Sequence, residues 1–316
     1  MKNSEILYIV IPCYNEEEVL EETTKRLTAK LDELIKNKLI SKESKVMYVD
    51  DGSKDKTWDI IKKINYENKL FVGLRLSRNR GHQNALLAGL MTAKKYADIV
   101  ISMDADLQDD INAIDKFVNE YYAGSDIVYG VRSARKKDTF FKRTTAESFY
   151  KFMKLMGVDI VFNHADYRLM SKRVLDALEN FEEVNLFLRG IVPLIGFKSN
   201  IVMYERNERY AGKSKYPLKK MLSFAFDGIT SFSVKPIRMI LILGIVIFFI
   251  SIIIMIYSLI VHLLGNTVEG WTFTVISIWM IAGVQMLSLG VVGEYIGKIY
   301  SEVKRRPRYI ISEELN

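Results

Sequence analysis

The sequence predicts an α/β fold: a doubly wound, mostly parallel sheet, followed by a hairpin of two membrane-crossing helices. Three observations carry this. Up to Gly130, short runs rich in Val, Ile and Leu alternate with stretches of helical pattern. Such alternation builds parallel sheets, whose strands are covered by helices on both faces and read as nearly continuous apolar runs. Polar clusters follow the runs directly, where doubly wound sheets bind ligands. Finally, residues 240–261 and 271–293 hold no charged side chain over 22 and 23 positions, and about 20 apolar residues suffice to cross the hydrocarbon core.

In chain order, strands are expected at 6–12, 46–50, 70–76, 99–103 and 127–130. Helices are expected at 17–36, 57–68, 83–96 and 111–122, between them. Beyond residue 135 the pattern loosens and becomes more basic. Residues 139–156 have an amphipathic helical pattern, 171–180 and 185–194 suit two further helices, and 198–204 suits a strand. Residues 216–234 mix Lys and Asp with aromatics and aliphatics. That composition suits a helix lying in the membrane interface and an ordinary packed helix equally.

The loop between the two apolar runs carries one acid and no Lys or Arg. The outer flanks carry Lys235 and Arg238 on one side, and Lys298, Lys304, Arg305, Arg306 and Arg308 on the other. The positive-inside rule puts both flanks in the cytoplasm, and Trp271 sits where an interfacial anchor belongs. The expected organisation is a cytoplasmic globular domain over 1–215, a juxtamembrane segment over 216–236, a hairpin over 237–297 and a basic cytoplasmic tail over 298–316. The protein is thus expected in the cell membrane, multi-pass.

The chain has 316 residues and a net charge of +7. Phosphates, anionic lipids and nucleic acid would all suit that charge, which alone selects none of them. The membrane accounts for much of the basic tail, so no nucleic-acid partner is expected. Cys13 is the single cysteine, so no intrachain disulfide forms. The first apolar run is short and leads into polar sequence, unlike a signal peptide. There is no G-x-G-x-x-G, which argues against a dinucleotide-dependent dehydrogenase.

Three clusters carry chemistry. Asp104-Ala105-Asp106, with Gln108 after it, follows the apolar run 99–103. In a strand-like register the two carboxylates point the same way, and hard oxygens so placed suit Mg²⁺ or Mn²⁺ with positions left for diphosphate. A bare D-x-D is also common in plain loops; its place after a buried strand favours the metal. Asp50-Asp51-Gly52-Ser53 follows the second strand, where an acid can accept from a ribose or a base edge and its neighbour can cap the next helix. Pro12-Cys13-Tyr14-Asn15-Glu16 follows the first; Tyr14 offers a face for stacking a base, and Asn15 can serve as an N-cap.

The order of the motifs VIPCYNEEEVL, VDDGSKDKT, RNRGHQNALLAG and MDADLQD resembles the family 2 glycosyltransferases of GT-A fold, over roughly residues 6–215. With the two apolar runs, the chain is similar to the bacterial polyprenyl-phosphate glycosyltransferases, relatives of dolichol-phosphate mannose synthase. The resemblance implies roles residue by residue. Pro12, Tyr14, Glu16 and Asp51 would hold the nucleoside. Asp104, Ala105, Asp106 and Gln108 would form the metal and diphosphate site, with Asp106 taking part in catalysis. Arg132 would lie near the phosphates. Arg209, Ser214 and Lys215, in RYAGKSKYPLKKM, would contact the acceptor phosphate. Asp166, in NHADYRLM, matches the position usually proposed as catalytic base. Many relatives carry Lys-Glu where this chain has His82-Gln83; His82 is a structural histidine or one that shapes donor choice, the structural reading being preferred.

The implied activity is inverting transfer of a hexose or N-acetylhexosamine from a nucleotide-sugar, UDP before GDP, to undecaprenyl phosphate, for cell-envelope polymer or lipid glycosylation. Oligomeric state is open, a homo-oligomer included. A processive polysaccharide synthase is the rival, but its Gln-x-x-Arg-Trp element is missing. A non-catalytic membrane scaffold is the other, and the intact acidic set argues against it.

Overall fold

The computed structural model describes residues 4–132, 164–184, 186–205, 233, 235–264 and 270–316. These fall into two compact units. The first holds the sheet, its helices and residues 306–316; the second holds the two long C-terminal helices.

In the first unit, β1 (Leu7–Cys13), β2 (Lys45–Asp50), β3 (Phe71–Leu76) and β4 (Ile99–Ser102) alternate with α1 (Leu20–Lys36), α2 (Thr57–Glu67) and α3 (His82–Ala93). Then come α4 (Ala113–Tyr122), β5 (Ile127–Arg132), β6 (His164–Ser171), α5 (Lys172–Glu179), α6 (Leu188–Leu194) and β7 (Ser199–Tyr204). The second unit contributes α7 (Lys235–Leu263) and α8 (Trp271–Val303), and β8 (Ile311–Leu315) closes the chain. The sheet order is β7-β5-β6-β4-β1-β2-β3-β8.

Every residue of β1 is buried, as its unbroken apolar run demands in a central strand. Helix α3 is buried from Ala85 to Ala93. It lies so close to the sheet that a Cβ on Gly89 would fall 2.4 Å from Val10 Cγ1 and 2.7 Å from Val49 Cγ2. Only glycine lets helix and sheet approach so closely, and a larger residue there would force them apart. Helix α5 starts where Ser171 ends β6 and accepts a hydrogen bond from Val174 N, satisfying one of the helix's orphan donors.

The expected strands and helices are present, with three differences. The sheet is mixed, because β4–β6, β5–β6 and β3–β8 pair antiparallel. Strand β6 was not expected: His, Asp and Arg interrupt its apolar pattern, and they are there for the site. The tail is not merely a solvated basic segment, since Ile311–Leu315 pairs along β3; two adjacent glutamates hide its strand character. Residues 139–156, and 216–234 except Ser233, lie outside the described residues.

Helices α7 and α8 have 29 and 33 residues. At 1.5 Å per residue each exceeds the ~30 Å hydrocarbon thickness. Large apolar side chains on them, such as Phe249, Ile253, Met286 and Leu287, are exposed. Among the described residues, Met280–Val303 is long and apolar enough to cross a membrane, with mean hydropathy 1.3.

Candidate active site

Topology brings the polar clusters to one edge. Strands β1 to β4 run parallel, so Cys13, Asp50, Leu76 and Ser102 end on the same side. Strand β6 runs opposite to β4, so its opening residues, His164 to Asp166, arrive at that edge too. Strand β5 is antiparallel to β6 and β7 parallel to β5, which brings Arg132 and Tyr204 there. The chain order reverses between β4 and β1, the switch point where ligands bind in open α/β sheets.

The loops after β1 and β2 are laced together. Asn15 N donates to Ser53 Oγ (3.0 Å), Lys54 N to Asn15 Oδ1 (2.9 Å), and Glu16 N to Thr57 Oγ1 (2.9 Å). Asn15 therefore does not cap α1, whose N-cap position is Val19. It sits at φ 54° instead, a left-handed turn that asparagine tolerates. Pro12 is buried within β1, pairing with Val49, while Tyr14 presents an exposed ring. Asp50 is the acid with a structural task, accepting from Ser53 N. Asp51 also has one: its two oxygens accept from Arg80 N (2.7 Å) and Gly81 N (2.9 Å). Gly52 lets the two loops meet, since a Cβ there would lie 2.7 Å from the Arg78 carbonyl carbon at a φ of 66°. The loops after β1, β2 and β3 thus form one hydrogen-bonded rim.

The acidic turn differs from its expected form. Strand β4 ends at Ser102, and Asp104 to Asp106 lie in a turn beyond it. The turn contains Leu107 at φ 56°. A buried leucine in left-handed backbone costs about 1–2 kcal/mol, and such strain persists where surrounding structure enforces it. It is enforced here by Thr23 Oγ1, which donates to Ala105 O (3.1 Å), and by Gln108 N, which donates to Asp106 Oδ1 (3.1 Å). Desolvation, reinforced by the nearby Asp166 and Asp106 carboxylates, raises the Asp104 carboxyl above its usual range.

Asp166 is 6 % exposed and ion-paired on both oxygens. Arg168 Nη2 lies 2.6 Å from Oδ1; Arg189 donates Nε to Oδ1 (3.1 Å) and Nη2 to Oδ2 (3.0 Å). Gln83 Nε2 adds a 3.4 Å contact. Burial would raise this carboxyl, but Arg189, His82 and Arg168 hold it well below the usual carboxylate range. His82 Nε2 stands 3.6 Å from both Asp104 Oδ1 and Asp166 Oδ2. Of the two readings of His82, this position between the two acidic centres favours a part in the site. Desolvation opposes its charged form, yet Asp166 and Asp104 raise its pKa.

Arg132 ends β5, with Nε donating to the Tyr204 hydroxyl (3.2 Å) and Nη2 3.5 Å from Asp109 Oδ1. Buried Asp109 also accepts from that hydroxyl, and desolvation lifts its carboxyl to about 6. Sequence reasoning missed Arg168, Arg189, Asp109 and Tyr204, and singled out Gln83 only as a departure beside His82. Of the four, only Arg168 left a signal, two residues from Asp166 and so on the same strand face. Arg209, Ser214 and Lys215 lie outside the described residues.

Residues 8–179 match the family model Glycosyl transferase family 2, and residues 235–299 match the GtrB C-terminal hairpin. The chain belongs to glycosyltransferase family 2, and it is a glycosyltransferase. It is 58 % identical, over all of its length and 94 % of the relative's, to the uncharacterized glycosyltransferase YkoT of Bacillus subtilis. It is 40 % identical to the prophage bactoprenol glucosyl transferase homolog of Escherichia coli K12, covering 96 % of this chain and 97 % of that one. Among solved structures, glucosyl-3-phosphoglycerate synthase from Mycobacterium tuberculosis, with Mn²⁺, UDP-glucose and phosphoglyceric acid, aligns at TM-score 0.45 and 16 % identity over 72 % and 78 % of the two chains.

Proposed function

We propose that the protein transfers a sugar from a nucleotide-sugar, a UDP-sugar in the first instance, to a polyprenyl phosphate at the cytoplasmic face of a membrane. The observation that carries this is the meeting, at one sheet edge, of the Asp104–Gln108 turn with the Asp166–Arg168–Arg189 cluster across His82. The relatives named as bactoprenol glucosyl transferases support the acceptor class.

The residues fit a divalent cation. Asp104 and Asp106 supply hard carboxylate oxygens and Gln108 an amide oxygen, and the penalty on the Asp104 carboxylate, from desolvation first and from the Asp166 and Asp106 carboxylates beside it, is what a cation relieves. Bound there, Mg²⁺ or Mn²⁺ would neutralise charge on the departing nucleoside diphosphate. The protein's own groups do the rest. Tyr14 and the rim of β1 and β2 loops hold the nucleoside. Arg132, steadied by Tyr204 and Asp109, faces the phosphates. The acceptor is a phosphate monoester, whose second pKa of about 6 leaves it largely ionised at pH 7. It attacks without giving up a further proton, so a strong base is unnecessary. Asp166, clamped by two guanidinium groups, then serves to fix Arg189 and His82 beside the reacting centre. Catalysis rests on positioning and charge stabilisation, with inversion at the anomeric carbon. Arg209, Ser214 and Lys215 are proposed to bind the lipid phosphate.

A panel of nucleotide-sugars incubated with undecaprenyl phosphate, with lipid products weighed by mass spectrometry, tests this. One glycosyl-phosphate lipid should appear with one donor of the panel. Transfer to polysaccharide ends alone would favour a processive synthase instead.

The domain limits 1–215, 216–236, 237–297 and 298–316 remain part of this proposal, amended by β8. That strand also supports the hairpin topology. The chain leaves the sheet unit before Lys235 and rejoins the same sheet at Ile311, which supports an even number of membrane crossings. Charge asymmetry around the two helices favours the cytoplasm for both flanks. With Cys13 replaced by serine, Asn266→Cys should react with an impermeant maleimide on intact cells, and Asn316→Cys only after permeabilisation. The reverse pattern would overturn the topology.

A further inference from the structure

The C-terminal strand does more than lie along the sheet edge. We infer that β8 is a working support of the donor pocket, fixing Arg75 so that it balances the buried Asp50 beneath the nucleoside rim. This rests on the proposed donor site at that rim.

The chain of contacts is continuous. In the β3–β8 register Glu313 stands opposite Arg75. Ser312 Oγ donates to Arg75 O (3.1 Å), and Ser77 N donates to Ile310 O (2.9 Å). Glu313 Oε2 accepts from the indole N–H of Trp58 (3.0 Å), orienting a ring that is 3 % exposed. The Arg75 guanidinium lies 5.6 Å from that ring's centroid, and its Nε is 3.3 Å from Asp50 Oδ2. Asp50 is fully buried. Its Oδ2 has no hydrogen-bond partner of good geometry, so Arg75 is its compensation. Its Oδ1 accepts from Ser53 N, and Ser53 Oγ accepts from Asn15 N.

A buried carboxylate without a partner is expensive, and a half-exposed arginine is a floppy counter-ion unless something holds it. Trp58, oriented by Glu313, and the β8 backbone paired along Arg75 are what hold it. Without them Asp50 loses its counter-charge, and the turn it organises, Asp50 to Ser53, loses its anchor. That turn carries Asp51 and is stitched to the Tyr14 loop. The strand that follows the membrane hairpin is therefore tied, through four side chains, to the nucleoside rim. The competing account is that β8 only covers the β3 edge, which an open sheet needs in any case.

The test uses the full chain in detergent, with UDP and GDP titrated by calorimetry alongside donor and acceptor kinetics. The variants are Glu313→Met (which removes the acceptor for the Trp58 indole), Trp58→Phe, Arg75→Met and the Glu313→Met/Arg75→Met pair. Leu315→Ala, which trims edge packing but leaves the network, is the comparison. Each network variant should raise the nucleotide Kd and donor KM by about 3- to 10-fold, with acceptor KM unchanged. The double variant should be no worse than Arg75→Met, because both substitutions break one path. Leu315→Ala should lower the thermal midpoint and leave nucleotide affinity alone. Network variants that lose thermal stability yet bind nucleotide normally would overturn the inference and leave β8 an edge cover. If the unsubstituted protein bound neither nucleotide, the donor-site proposal itself would fall.

Discussion

Alanine at Asp106 should abolish sugar transfer while leaving a folded, membrane-inserted protein. The turn at Asp104–Gln108 keeps an anchor that does not involve Asp106, the Thr23 hydroxyl on the Ala105 carbonyl. Removing the Asp106 side chain takes away the hydrogen bond it accepts from Gln108 N, and a loss of that kind costs about 1 kcal/mol. The functional loss is of another order. Asp106 and Asp104 repel each other, a cation bound between them would offset that, and a cation left to one carboxylate would be held far more weakly. Losing such a preorganised charge stabiliser typically removes two to three decades of rate, ~3–4 kcal/mol of barrier. Asp104→Ala should be at least as damaging, because Asp104 also faces His82 at 3.6 Å. The measurements are transfer rate with and without EDTA, Mn²⁺-dependent UDP affinity, and the thermal midpoint. Near-normal turnover in EDTA, or in either variant, would remove the metal from the mechanism.

What the sequence disclosed about this site follows from where each residue sits. Strands β1 to β4 were legible because central parallel strands must be apolar throughout, and the acids after them stand out against that background. Asp51, Asp104 and Asp106 were found for that reason. Their surroundings were not. That Asp51 spends its oxygens on the Arg80 and Gly81 amides depends on a turn at Gly52 with left-handed backbone, and spacing alone does not reveal it. Asp166 was recognised only through a resemblance, since β6 is buried on both faces from Asp166 to Ser171, and its Asp and Arg break the apolar run that marks such a strand. Arg189 left no trace at all. It lies in a short helix 23 residues further on, and only the antiparallel return of β6 beside β4 brings its partner to the site edge. The C-terminal strand was hidden by its charge: Glu313 and Glu314 read as solvated tail, whereas Glu313 is bonded to a buried indole.

The role of Asp166 can be decided by a change of sign. If Asp166 were the catalytic base, its arginine partners would be a handicap, because they depress its affinity for a proton. Replacing Arg189 by methionine would then make it a better base, and the rate would hold or rise. If Asp166 is instead the anchor that fixes Arg189 beside the reacting phosphates, the same substitution removes the functional group. Transfer efficiency should then drop by about a hundredfold, ~2.7 kcal/mol. Arg189→Lys should recover little, since an ammonium cannot make the two parallel bonds that Nε and Nη2 make to the carboxylate. Asp166→Asn should be worse than either. It leaves fully buried Arg168 without its counter-charge, and breaking a buried pair in this way costs about 3–5 kcal/mol of stability. Its activity loss is therefore to be read beside its thermal midpoint, whereas Arg189, which is 30 % exposed, can be removed at much smaller cost to the fold. The deciding measurement is kcat for Arg189→Met at saturating donor and acceptor, with UDP affinity taken as the check that the nucleotide site is intact. An unchanged or faster kcat returns Asp166 to the role of base; a fall with UDP binding preserved establishes the carboxylate as the arginine's anchor.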